Sequence, residues 1–150
     1  MNPTVYFVIP CYNEQEVLEE TVKRLTAKMD SMRERGLAGD KSRILLVNDG
    51  SKDKTWEIIT RLHEENGYVE GVKLAHNRGH QNALFCGLMT AMPLCDCAIS
   101  LDADLQDDVD ALDKFVEKFL EGCDVVYGVR NKRDTDTWFK RTTAEWYYKI

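Results

Sequence analysis

The sequence has no apolar run long enough to span a bilayer and no N-terminal segment patterned as a signal peptide, so a membrane helix and export are not expected. Neither G-x-G-x-x-G nor G-x-x-x-x-G-K-[ST] occurs, which leaves a dinucleotide-binding fold and a P-loop kinase without support. Cysteine is present without a metal pattern. Cys11, Cys86, Cys95, Cys97 and Cys123 are odd in number and repeat no spacing, and Cys95-x-Cys97 is not a zinc motif. The expectation is reduced, mostly buried thiols in an intracellular compartment. Excess basic charge is also missing: the net charge is −6, with much of the acid at 102–113, which argues against a nucleic-acid partner. There are no repeats and no low-complexity linker, and 150 residues suit one domain, 1–150, with enough chain to bury a core.

What is present is organised around one acidic stretch, Ala98-Ile99-Ser100-Leu101-Asp102-Ala103-Asp104-Leu105-Gln106-Asp107-Asp108. Apolar residues lead into it as a buried strand would, which puts Asp102 and Asp104 at the strand end. Residues two apart on a strand share a face, roughly 6–7 Å apart at Cα. Two carboxylates so placed repel each other unless a cation lies between them, and oxygen-rich sites of this kind suit Mg²⁺ or Mn²⁺, with diphosphate oxygens completing the shell. The plainer reading is a solvated acidic turn in which Asp107 or Asp108 caps the next helix.

Around this stretch the chain alternates strand and helix. Val5–Ile9 reads as a first strand stopped by Pro10. From Glu14 to about Arg35, Leu18, Val22, Leu25, Met29 and Met32 form one apolar stripe. Ile44–Val47 is a second strand, followed by the turn Asn48-Asp49-Gly50-Ser51 and a helix over about 53–65 that buries Trp56, Ile59 and Leu62. A weaker strand over 69–74 precedes Asn77-Arg78-Gly79 and a helix over about 80–91. Beyond the acidic strand, Leu112, Phe115, Val116 and Phe119 mark another helix, and Asp124–Gly128 a fifth strand. This order predicts an α/β domain with a mostly parallel sheet and helices on both faces. Ligands bind such sheets outside the carboxyl ends of the strands, which gathers 10–14, 49–51, 75–79 and 102–106 on one rim. His76, Arg78 and His80 also fall at that rim, where a solvated helix start explains them equally well.

Three segments in order, Val8-Ile9-Pro10-Cys11-Tyr12-Asn13-Glu14, Val47-Asn48-Asp49-Gly50-Ser51 and Asp102-Ala103-Asp104-Leu105-Gln106, resemble the motifs of family 2 inverting glycosyltransferases. The tail Lys140-Arg141-Thr142-Thr143-Ala144-Glu145-Trp146-Tyr147-Tyr148-Lys149 adds a likeness to the polyprenyl-phosphate hexosyltransferases, the group of bactoprenol glucosyltransferases and dolichyl-phosphate mannose synthases. The resemblance implies a single GT-A-type nucleotide-binding domain. It implies that Asp49 accepts a hydrogen bond from the base, and that Pro10, Tyr12 and Glu14 complete the nucleoside pocket. Asp102 would lie near ribose and metal, Asp104 would be the direct ligand of Mg²⁺ or Mn²⁺, and Gln106 a further metal-site residue. Arg130 resembles an arginine that faces phosphates.

The implied reaction moves a hexose from a nucleotide diphosphate sugar of the UDP-glucose or GDP-mannose type to a polyprenyl phosphate, with inversion. A phosphate acceptor is largely ionised at neutral pH and needs no protein base, whereas a hydroxyl acceptor normally does. No isolated acid at a further strand tip offers itself as that base. Trp138, Phe139, Trp146 and Tyr147, interleaved with Lys140, Arg141 and Lys149, suit a helix resting on a bilayer, and a docked core helix is an equal reading. The helical pattern from Thr137 reaches Ile150 without a stop signal, so a chain continuing beyond it is expected, with the protein at the cytoplasmic face of the membrane through a segment absent here. A saccharide acceptor, an inert nucleotide-sugar-binding module and a receiver-like Mg²⁺ domain are the rival readings, and homo-oligomerisation is left open.

Overall fold

Short runs of β-branched and aliphatic residues form the strands, because such side chains fit the pleat of a sheet buried on both faces. In the computed structural model, which describes residues 1–129, these are β1 (Val5–Cys11), β2 (Arg43–Asn48), β3 (Val69–Lys73) and β4 (Cys97–Ser100). All neighbours are parallel, in the order β3-β2-β1-β4. Tyr6 to Cys11 pair with Arg43 to Asn48, and Val5 to Val8 with Cys97 to Ser100. Helices α1 (Leu18–Glu34), α2 (Thr55–Glu65), α3 (His80–Ala91) and α4 (Ala111–Leu120) alternate with the strands. The α/β fold with helices on both faces is as the sequence predicts.

Alternation along the strands divides the core in two. Phe7, Ile9, Ile44 and Leu46 face α1, α2 and α4, and meet the α1 stripe Leu18, Val22, Leu25, Met29 and Met32, all buried. Tyr6, Val8, Leu45 and Val47 face α3. That helix buries only its small residues Ala83, Gly87 and Ala91. A Cβ on Gly87 would sit 2.5 Å from Val8 Cγ1, so glycine is what lets α3 lie flat on the sheet. On the other face, Asp113 of α4 is paired with Arg35, the C-cap of α1, with Lys28 Nζ at 3.5 Å.

Several boundaries differ from expectation. Pro10 does not stop β1. Val8 O accepts from Leu101 N–H at 3.0 Å on the β4 side, while Cys11 O accepts from Asp49 N–H at 2.8 Å on the β2 side. By alternation Pro10 faces the β4 side, where β4 has already ended, so its missing N–H breaks no ladder bond. The stretch Glu14–Val17 is a turn ahead of α1, closed by Leu18 N–H on Glu14 O at 3.0 Å. Neither Asp107 nor Asp108 is the N-cap of α4; Asp110 holds that position without a side-chain bond, and Asp108 Oδ1 accepts the Asp110 amide at 2.9 Å in a turn before it.

The fifth strand is not formed at 124–128. The segment runs beside β4 without pairing, and a cavity of about 250 Å³ lined by Ile99, Phe115, Phe119 and Val126 lies between them. The cysteines are all free, but only Cys11 is buried; Cys86 on α3, Cys95 in the segment after it and Cys97 on β4 are half-buried, and Cys123 is exposed.

Candidate functional site

Strand order makes the crevice. From β1 the chain moves to β2 and β3 on one side and later to β4 on the other, so the loops after β1 and β4 diverge and leave a gap at their carboxyl ends. The segments following all four strands reach this rim, as the sequence predicts.

The loop after β1 is held against the loop after β2 by five hydrogen bonds. Asn13 N–H donates to Ser51 Oγ at 3.0 Å and Glu14 N–H to Thr55 Oγ1 at 2.9 Å. Gln15 N–H donates to Asp53 Oδ2 at 3.3 Å, and the Lys52 and Lys54 amides donate to Asn13 Oδ1 at 2.9 Å and Gln15 Oε1 at 3.1 Å. Asn13 has φ 52°, a left-handed conformation that asparagine tolerates better than most residues. Burial alone would raise the Asp53 carboxyl, but the bonds it accepts from the Thr55 hydroxyl and amide and the Gln15 amide hold it below its ordinary value. These polar contacts tie the loop that carries Tyr12 and Glu14 to the segment after β2.

Four of the predicted residues meet in one place. Pro10, Tyr12, Glu14 and Asp49 line a cavity of about 150 Å³, together with Cys11, Asn77, Gly79 and His80. Asp49 is 2% exposed, too buried for an ordinary surface turn, and its Oδ1 accepts the Arg78 amide at 2.7 Å. Gly50 is forced: φ is 65°, and a Cβ there would lie 2.3 Å from Asn77 N. The loops after β2 and β3 therefore touch backbone to backbone.

A second cavity of about 190 Å³ adjoins the first and shares Pro10 and His80 with it. Its remaining lining is Leu84, Ser100, Leu101, Asp102 and Asp107. His80 Nε2 lies 3.7 Å from Asp102 Oδ1. Asp102 and Asp104 are not on the strand, which ends at Ser100, but alternation continues past it: Leu101, Ala103 and Leu105 are buried while Asp102, Asp104 and Gln106 are exposed. The carboxyl of Glu14 is raised above its ordinary value by burial first, then by the charges of Asp104, Asp53 and Asp102. Carboxylates from three loops line the two adjoining cavities: Glu14 and Asp49 the first, Asp102 and Asp107 the second.

Among the described residues, no group of three or more His, Cys, Asp or Glu side chains is arranged as a cage for a metal ion. Exposed Asp102 on the second cavity, with exposed Asp104 two residues on and outside both linings, fits instead an ion held by one or two carboxylates and completed by phosphate and water oxygens. Gln106 lines neither cavity. Arg130 and the aromatic segment from Trp138 lie outside the described residues.

Asn77 and Gly79 fall in the 75–79 segment that the sequence puts on the rim but without a role of their own, and His80 is not separable there from a solvated helix start. The available signal was their position at the end of a strand, before a helix whose first turn faces the rim. Among the described residues no helix is long and apolar enough to cross a membrane.

Comparison with known proteins agrees with this geometry. The family model described as "Glycosyl transferase family 2" matches residues 6–150. The chain is 50% identical over 148 residues to the uncharacterized glycosyltransferase YkoT of Bacillus subtilis, covering 99% of this chain and 44% of that one. It is 36% identical over 146 residues to the bactoprenol glucosyl transferase of Shigella phage SfV, covering 97% of this chain and 45% of the relative. A mannosyltransferase of Pyrobaculum calidifontis, solved in complex with GDP-Man and Mn²⁺, superposes with a TM-score of 0.63 at 26% identity, over 78% of this chain and 32% of that one. The chain spans less than half the length of these relatives. The motifs, the parallel sheet and the family match over nearly the whole chain agree, and the protein belongs to glycosyl transferase family 2.

Proposed function

We propose that the protein, in its full length, transfers a hexose with inversion from a nucleotide diphosphate sugar to a polyprenyl phosphate. The observation that carries the donor half is the pair of adjoining cavities, one at the ends of β1, β2 and β3 and the other at the switch between β1 and β4. One is lined by Pro10, Tyr12, Glu14 and buried Asp49, and the other by Asp102. In this reading Asp49 accepts the imino N–H of the base, Tyr12 and Pro10 flank the nucleoside, and Asp102 and Asp104 face the diphosphate. A divalent ion, Mg²⁺ or Mn²⁺, held by these two aspartates would stabilise the charge that develops on the departing diphosphate. Both cavities share His80, and in this reading the diphosphate passes from one to the other beside it. Gln106 is kept as a further residue near that ion.

The acceptor half draws on the likeness to a bactoprenol glucosyl transferase. A phosphate monoester is largely dianionic at pH 7, so it attacks without a protein base. What it needs is cationic help against a second anion, the role given to Arg130. An acceptor of this class resides in a membrane, and in this reading the full-length protein works at its cytoplasmic face.

The donor half is tested by thermal shift with UDP, GDP, UDP-glucose and GDP-mannose, with and without Mn²⁺. One base is expected to raise the melting temperature, more strongly with Mn²⁺. No shift with any of the four would set the reading aside.

A further inference from the structure

Threonines inside helices ordinarily return the hydroxyl proton to the carbonyl one turn back. Thr60 does so to Trp56 O at 3.0 Å, and Thr90 to Cys86 O at 2.8 Å. Thr21 does not. It lies in α1, 3% exposed, and its Oγ1 donates to Ala103 O at 2.5 Å, across 82 positions of sequence. Ala103 sits between Asp102 and Asp104, and the carbonyl that Thr21 holds belongs to the peptide leading into Asp104.

That peptide is beyond the reach of the sheet. The last ladder bond on this side is Leu101 N–H to Val8 O, and the chain then turns, with Leu105 N–H on Asp102 O at 3.1 Å. Leu105 closes the turn at φ 46°, a left-handed conformation that a branched residue adopts only when its surroundings impose it. Leu101, Ala103 and Leu105 are held by packing, which is non-directional and does not by itself orient a peptide plane. A buried hydroxyl with a fixed acceptor does.

We infer that Thr21 is a positioning residue for the acidic turn: its hydroxyl fixes the Ala103–Asp104 peptide, and so the direction in which Asp102 and Asp104 present their carboxylates. The inference rests on the reading of those aspartates as donors to a divalent ion. It assigns a role to a residue of α1 that touches neither cavity.

The test uses the full-length protein with Thr21→Val, Thr21→Ser and Asp104→Asn. Three quantities are read: amide hydrogen exchange over 101–106 without metal, Mn²⁺ affinity by electron paramagnetic resonance in the presence of UDP or GDP, and affinity for the free nucleoside. Thr21→Val is expected to speed exchange over 101–106 and to weaken Mn²⁺ binding about tenfold, the effect of one lost buried hydrogen bond. Nucleoside affinity should be unchanged, and Thr21→Ser should behave as wild type. Wild-type Mn²⁺ affinity in Thr21→Val, with Asp104→Asn impaired, overturns the positioning role alone. Equal losses of Mn²⁺ and nucleoside affinity overturn it in favour of a general packing role. Full Mn²⁺ affinity in Asp104→Asn overturns the reading of the turn, and the role of Thr21 with it.

Discussion

The Arg78 amide donates to Asp49 Oδ1 at 2.7 Å, so a carboxylate assigned to the nucleotide base also ties the end of β2 to the loop before α3. The two roles separate by substitution. Asp49→Asn keeps an Oδ1 for the Arg78 amide and removes the charge, whereas Asp49→Ala removes both. A hydrogen bond to a charged group is worth about 1.5–3 kcal/mol. Asp49→Asn should therefore weaken nucleotide binding about ten- to a hundredfold by calorimetry, with the melting temperature nearly unchanged. Asp49→Ala should lose affinity and stability together. Wild-type affinity in the asparagine variant would reduce Asp49 to a structural tie.

Glu14 gives a prediction with a definite sign. Its carboxyl is raised by burial and by the charges of Asp104, Asp53 and Asp102, so the folded protein binds this proton more tightly than the unfolded chain. The stabilising contribution is complete below the unfolded value near 4.5 and is lost as pH rises through the raised folded value. Glu14→Gln carries no such charge and should be more stable than wild type at neutral pH. The gap in melting temperature should close as pH falls to about the ordinary glutamate range. A gap independent of pH would mean that the substitution acts through packing or hydrogen bonding instead.

Gly50 joins stability to the site. An alanine there meets both a left-handed φ, costing about 1–2 kcal/mol, and the Asn77 and His76 backbone within 3 Å. Gly50→Ala should lower unfolding free energy by at least that amount in urea titrations and also weaken nucleotide binding, since the loops carrying Asp49 and Arg78 must part. Retained affinity at reduced stability would show that the loop contact does not shape the pocket.

Much of this rim was legible in the sequence because strands alternating with helices place every strand end on one side. Asp49 and the pair Asp102–Asp104 stood out as carboxylates directly after apolar runs, and the α1 stripe was readable from its spacing. What escaped depends on contacts between distant segments. Pro10 looked like a strand stop because sequence does not reveal that β4 ends before reaching it. The aspartates of the acidic stretch read as the end of a strand because apolar and polar residues keep alternating through Leu105, although pairing ceases at Ser100. Asp124–Gly128 has a strand's composition and no ladder partner among the described residues. Thr21 is an ordinary helix residue by pattern, and only the fold brings it to Ala103.

The most direct measurement is transfer by the full-length protein. Label from the nucleotide sugar that the thermal-shift panel selects is followed into a short-chain polyprenyl phosphate and into a neutral saccharide, in wild type and Arg130→Ala. The account predicts label in the lipid phosphate and none in the saccharide, with transfer strongly reduced in Arg130→Ala while nucleotide affinity stays within about threefold, or roughly 0.7 kcal/mol. Transfer to the saccharide with none to the lipid phosphate, or binding of the donor without transfer to either, would contradict it.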